Sequence, residues 1–206
     1  DFTVGIAPAN SSSSADAIAT FDYNLTANET YIIVASGIVN AAGYNPAPAF
    51  NLEVFAGARE VSSTNGNTDV LVYHGSTDAP AVDVVETLVT GGATIVDNAF
   101  YSDFAGYLEL ATLDYRLAVK DATGSVTVKT YEAPLETLGL QNLALTVLAS
   151  GFLDPSQNSN GAPFGLFVAL PSGGALIPLP ESTARVQVIH NSPDALATAV
   201  DVYLND

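Results

Sequence analysis

Short apolar runs alternate with polar positions along nearly the whole chain, and clusters of Gly, Pro, Asn and Asp interrupt them. A period of two carried by Val, Ile, Thr, Tyr and Phe predicts strands. In YRLAVK, Tyr115, Leu117 and Val119 share one face while Arg116, Ala118 and Lys120 share the other, the pattern of a strand with one buried side. In VTVKTY, Val126, Val128 and Thr130 oppose Thr127, Lys129 and Tyr131 in the same way. The intervening DATG, 121–124, reads as a hairpin turn ending in glycine. Strands are predicted over 70–74, 81–86, 93–96, 106–111, 115–120, 125–132, 143–150 and 164–170. One turn of helix fits 133–141 after Pro134, until Gly139 stops it. This density of strands fits an all-β, immunoglobulin-like two-sheet β-sandwich lacking the Cys and Trp hallmarks of that fold, with a closed barrel as the alternative.

The pattern repeats. VLVYHGSTDAPAVDVVE, 70–86, returns as VQVIHNSPDALATAVDVYLND, 186–206. His74 corresponds to His190 and Asp78 to Asp194 at an offset of 116, and Asp83 to Asp201 at 118, two residues having entered the second turn. VASG, 34–37, matches LASG, 148–151, and FNLEV, 50–54, matches FGLFV, 164–168, both at an offset of 114. A period of this length marks tandem domains. It divides the chain into the latter half of a repeat (1–65), one complete repeat (69–181) and the opening strands of another (184–206). A half sandwich leaves an apolar face and open strand edges, which are templates for pairing. Two arrangements satisfy them: neighbouring repeats of a longer tandem protein, or strands donated by another copy. The donor candidates are Val186, Val188, Ile189, Val200, Val202 and Leu204. Either gives head-to-tail contact, and such a heterologous contact that does not close forms a filament.

Composition narrows the partners. Five basic residues stand against 22 acids, for a formal net charge of -17, which excludes a basic footprint for nucleic acid or an anionic membrane. No stretch has the run of apolar residues that a membrane helix needs. Without Cys there is no disulfide framework and no thiolate chemistry. Three sequons, at Asn10, Asn24 and Asn28, are glycosylation candidates if the chain is secreted.

Candidate chemistry is sparse. His74, Ser76 and Asp78 lie too close along one strand-to-turn junction for a triad, and shaping the turn is the better role for them. Asp78, Asp83 and Glu86, with Asp194, Asp201 and Asp206, offer oxygens for calcium. The simpler reading of Asp83, between Val82 and Val84, is a solvated side chain. Tyr101, Phe104 and Tyr107 are either a sugar-stacking platform or corner packing. The loops 40–48 and 154–162 occupy equivalent places in the two copies and form a candidate binding surface.

HGSTDAPAVDVVE, 74–86, resembles the opening signature of the extracellular domain of unknown function 4397, and the runs after it, through LALTVLASG and GLFVAL, are similar to that family's middle and end. Thr77 departs from the signature's proline, which Pro193 restores, and the inserted residues of the second turn depart from it again. The resemblance implies secreted or cell-surface tandem β-sandwich domains with no catalytic residues to carry over. The expected function is non-catalytic, structural or adhesive, built by self-association. A glycan- or calcium-binding surface module is the alternative.

Overall fold

The computed structural model describes residues 1–183, 187–191, 193 and 199. Two large sheets face one another. The first has four strands: β6 (Val82–Glu86), β7 (Ala93–Ala99), β9 (Asp114–Asp121) and β10 (Thr127–Pro134), in the order β10-β9-β6-β7. The second has five: β5 (Asn67–His74), β8 (Phe104–Ala111), β11 (Ala144–Ser150), β12 (Gly165–Ala169) and β13 (Ile177–Pro178), in the order β13-β12-β11-β5-β8. Their inner faces close one core, in which Val70, Val147, Leu166 and Val168 meet Val84, Val119 and Tyr131. The chain is an all-β sandwich. β11 and β5 run parallel, with Leu145 beside Val70 and Leu148 beside Tyr73. The other pairings between described strands are antiparallel.

Ahead of this sandwich lie two hairpins, each a sheet of its own: β1 (Phe2–Ile6) with β2 (Ala19–Tyr23), and β3 (Tyr31–Ser36) with β4 (Asn51–Ala56). Their register reproduces that of the sandwich. Ser36 pairs with Asn51 and Val34 with Glu53, as Ser150 pairs with Gly165 and Leu148 with Phe167. Beyond the strands Ile38 bridges Ala49, as Phe152 bridges Pro163. Gly37 and Gly151 open these crossovers at φ +83° and +82°, and a Cβ at either would stand 2.4 Å from the Ala49 oxygen or 2.3 Å from the Pro163 oxygen. Only glycine meets both demands. Phe21, opposite Val4, packs on Phe50 with centroids 6.1 Å apart, and Tyr131, opposite Leu117, packs on Phe164 at 6.4 Å. The hairpins β1–β2 and β3–β4 thus face each other as β9–β10 and β11–β12 do.

The predicted strands all form, with shifted ends. β10 begins at Thr127 rather than at 125, because Asp121 Oδ1 accepts the N–H groups of Ser125 and Val126 for the turn, 3.0 Å from each. The segment after Pro134 makes a single irregular turn in which Leu138 N–H reaches the Pro134 carbonyl, and Gly139 at φ +67° ends it. The solvated face expected for Asp83 is absent. Every residue of β6 is buried, since that strand lies between β7 and β9 in the middle of its sheet.

Candidate functional site

In its described copy, 74–78, the duplicated motif is hydrogen-bonded into the turn after β5. His74 is buried, its Nε2 lies 3.2 Å from the Pro80 carbonyl, and Nδ1 has no partner. Burial pushes its pKa below the ordinary range. Ser76 Oγ donates to the Gly151 carbonyl at 2.6 Å. Asp78 accepts from the N–H groups of Leu153 and Asp154, at 2.9 and 2.8 Å, and from Asn158 Nδ2 at 3.2 Å. These bonds tie the turn after β5 to the crossover after β11.

The other acids do similar work. Asp83, 7 % exposed, accepts the Asn98 N–H at 2.8 Å. Glu86, 1 % exposed, accepts N–H groups from Leu88, Val89 and Thr90 and the Thr90 hydroxyl. Burial opposes its charge, but these donors outweigh burial and bring its pKa down to about 2. Asp78 and Asp83 therefore direct oxygens at backbone donors, and among the described residues no three His, Asp or Glu side chains converge as metal ligands. Asp194, Asp201 and Asp206 lie outside the described residues.

The aromatic candidates join the N-terminal hairpins to the sandwich. Phe55 of β4 packs on Phe104 at 5.2 Å and on Tyr107 at 5.8 Å, and Phe104 packs in turn on Tyr73 at 4.6 Å. Tyr101 Oη and Ser36 Oγ are 3.0 Å apart. Arg59 lies over the Tyr107 ring at 4.7 Å and bonds Asp69 at 2.6 Å and Glu109 at 2.8 Å. The paired loops also meet: Asn45 N–H donates to Asn158 Oδ1 at 3.0 Å, Ser159 Oγ to the Gly43 carbonyl at 2.9 Å, and Tyr44 packs on Phe152. Both surfaces singled out from the sequence are thus used inside the chain. The three sequon residues, Asn10, Asn24 and Asn28, are all exposed, in the loops on either side of β2.

What stands open is the N-terminal pair of hairpins. β3 is paired along one edge by β4, and among the described residues nothing pairs its other edge, where β11 carries β5. Among the described residues β1 has the same open edge where β9 carries β6. Along β3 runs a groove of about 520 Å³, with Tyr31 and Ile33 on one wall and Thr146, Leu148, Leu170 and Leu176 on the other. A further hollow of about 370 Å³ extends it past Gly37 towards Phe152. Thr146 and Leu148 alternate with the core residues Leu145 and Val147, so the second wall is the outer face of the five-stranded sheet. The sandwich interior, by contrast, holds an apolar void of only about 50 Å³, well below the size of an ordinary ligand site.

Sequence reasoning found the open edges but missed the groove, because the far wall comes from the outer face of another sheet. Of the assembly candidates, Val188 and Ile189 are 56 % and 73 % exposed. Val186, Val200, Val202 and Leu204 lie outside the described residues. No family model, curated protein or solved structure matches the chain.

Proposed function

We propose that this is a non-catalytic extracellular structural or adhesive protein made of immunoglobulin-like sandwich repeats, joined head to tail by strand complementation into a filament. In this reading 1–65 is the latter half of one repeat, 69–181 a complete repeat and 184–206 the opening of the next. One observation carries it. The two N-terminal hairpins have the register and facing contacts of β9–β12, yet among the described residues they have no counterpart of the strands that flank β9 and β11 in the sandwich. Open edges beside a groove with apolar residues such as Ile33, Leu148 and Leu176 favour strand addition. The acidic balance and exposed sequons accord with a solvated, secreted surface, and the resemblance of 74–86 to extracellular domains points the same way.

Deleting 186–206 tests the reading. The full chain is expected to form filaments visible by negative-stain electron microscopy, and the truncated chain is expected to remain monomeric with its sandwich intact by circular dichroism. Filaments unchanged by the deletion overturn it.

A further inference from the structure

The sandwich contains a template for the missing contact. β5 seats parallel to β11 with Leu145 beside Val70, Val147 beside Val72 and Ala149 beside His74. β3 matches β11 at an offset of 114, and 186–190 matches 70–74 at 116. Carrying one register onto the other places Tyr31 beside Val186, Ile32 beside Gln187, Ile33 beside Val188 and Ala35 beside His190. The same operation on β6 and β9, where Val84 pairs with Val119, sets 200–204 antiparallel to β1 with Val202 opposite Ile6.

Resting on the proposed function, we infer that the groove beside β3 takes residues 186–190 of a second copy, parallel and in this register, while 200–204 of that copy closes the edge of β1. The groove suits such an occupant. An added strand there finds the edge of β3 that no described residue pairs on one side and, on the other, an outer face on which Leu148 and Leu176 stand beside Thr146. Ile33, 37 % exposed, would gain the neighbour that Val147 has in Val72.

The occupant comes from another copy because its own chain cannot reach. Ser182 N–H is bonded to the Thr130 carbonyl, on β10 in the four-stranded sheet, whereas the groove lies beyond the outer face of the five-stranded one. Crossing one sheet spacing and a further layer needs about 20 Å. The four steps from Ser182 to Val186 span at most about 14 Å. Among the described residues, 187–191 form no strand, and Val188 and Ile189 are largely exposed.

The natural chain has no Cys, so paired cysteines report register cleanly. The double variant Ile32→Cys with Gln187→Cys is oxidised under filament-forming conditions and run on a denaturing non-reducing gel. A ladder of covalent oligomers is expected. It is expected to be lost in Ile32→Cys with Val188→Cys, whose thiols face opposite sides of the sheet, and in Ile32→Cys with Ile189→Cys, displaced by two residues. A ladder from either shifted pair in place of the matched one overturns the register and leaves strand complementation standing. A crosslink confined to single chains overturns the second copy as occupant. Filaments with no crosslink in any pair, also surviving deletion of 186–206, overturn both this inference and the reading beneath it.

Discussion

The hairpins β3–β4 and β11–β12 have one register and different surroundings. β11–β12 lies inside a sheet, with β5 on one edge and β13 on the other, and most of β11 is buried. β3–β4 has neither neighbour among the described residues, and Tyr31, Ile33 and Ala35, at the positions of Leu145, Val147 and Ala149, are half-buried or exposed. Local sequence therefore suffices to specify the hairpin and its crossover, while burial comes from the strands beside it. The same local code is buried as core in one place and, among the described residues, left with an open edge in the other.

A charge at matched positions separates the two most sharply. Val147→Asp puts an unpaired carboxylate into the core and is expected to cost more than about 4 kcal/mol in urea unfolding. Ile33→Asp is expected to cost less than about 1 kcal/mol in the isolated chain, while abolishing filaments in electron micrographs. Similar losses of stability from both would mean that β3 is already part of a closed core.

The crossover glycines give a smaller contrast. A left-handed backbone costs a non-glycine residue about 1–2 kcal/mol, and at both sites the added Cβ also meets a carbonyl oxygen. Gly151→Ala is expected to lower the global unfolding free energy by at least that amount. Gly37→Ala is expected to cost mainly hydrogen-exchange protection in β3 and β4. Equal global effects would show that the N-terminal hairpins unfold as one unit with the sandwich.

Acid gives the gentlest test. Glu86 falls from an ordinary 4.5 to about 2 in the folded chain, so its stabilisation is present above about pH 4.5 and lost as pH falls towards 2. His74, ordinarily near 6.5, is held lower by burial. The unfolded chain therefore takes up that proton first, and stability declines as pH drops below about 6.5. Both residues belong to the sandwich, and Leu204 stands where the next copy would repeat Glu86. Melting temperatures of wild type and Glu86→Gln are expected to converge as pH falls from about 6 to about 3. Parallel curves would remove Glu86 as the cause.

Much of this was legible in the chain. Period-two runs located every strand from β5 to β12, and the VASG and LASG repeat anticipated the shared crossover at Gly37 and Gly151. What escaped was set by neighbours distant in sequence. Asp83 reads as solvated until β7 and β9 close over it. Tyr107 reads equally as a sugar platform or a corner until Phe55 and Arg59 pack against it. Period alone does not reveal which outer face the open edge of β3 will overlie.

Arg59 has a consequence for how the chain responds to salt. With a net charge of -17, copies repel one another over a Debye length of about 10 Å at 0.1 M salt, which shrinks to about 3 Å at 1 M. Asp69, with a fully buried side chain, keeps its bond to Arg59 beneath that screening, whereas the exposed acids lose their long-range repulsion. For the assembly proposed above, high salt would therefore lower the repulsion between copies while leaving the joint between the N-terminal hairpins and the sandwich intact, making ionic strength a control on that assembly rather than on folding.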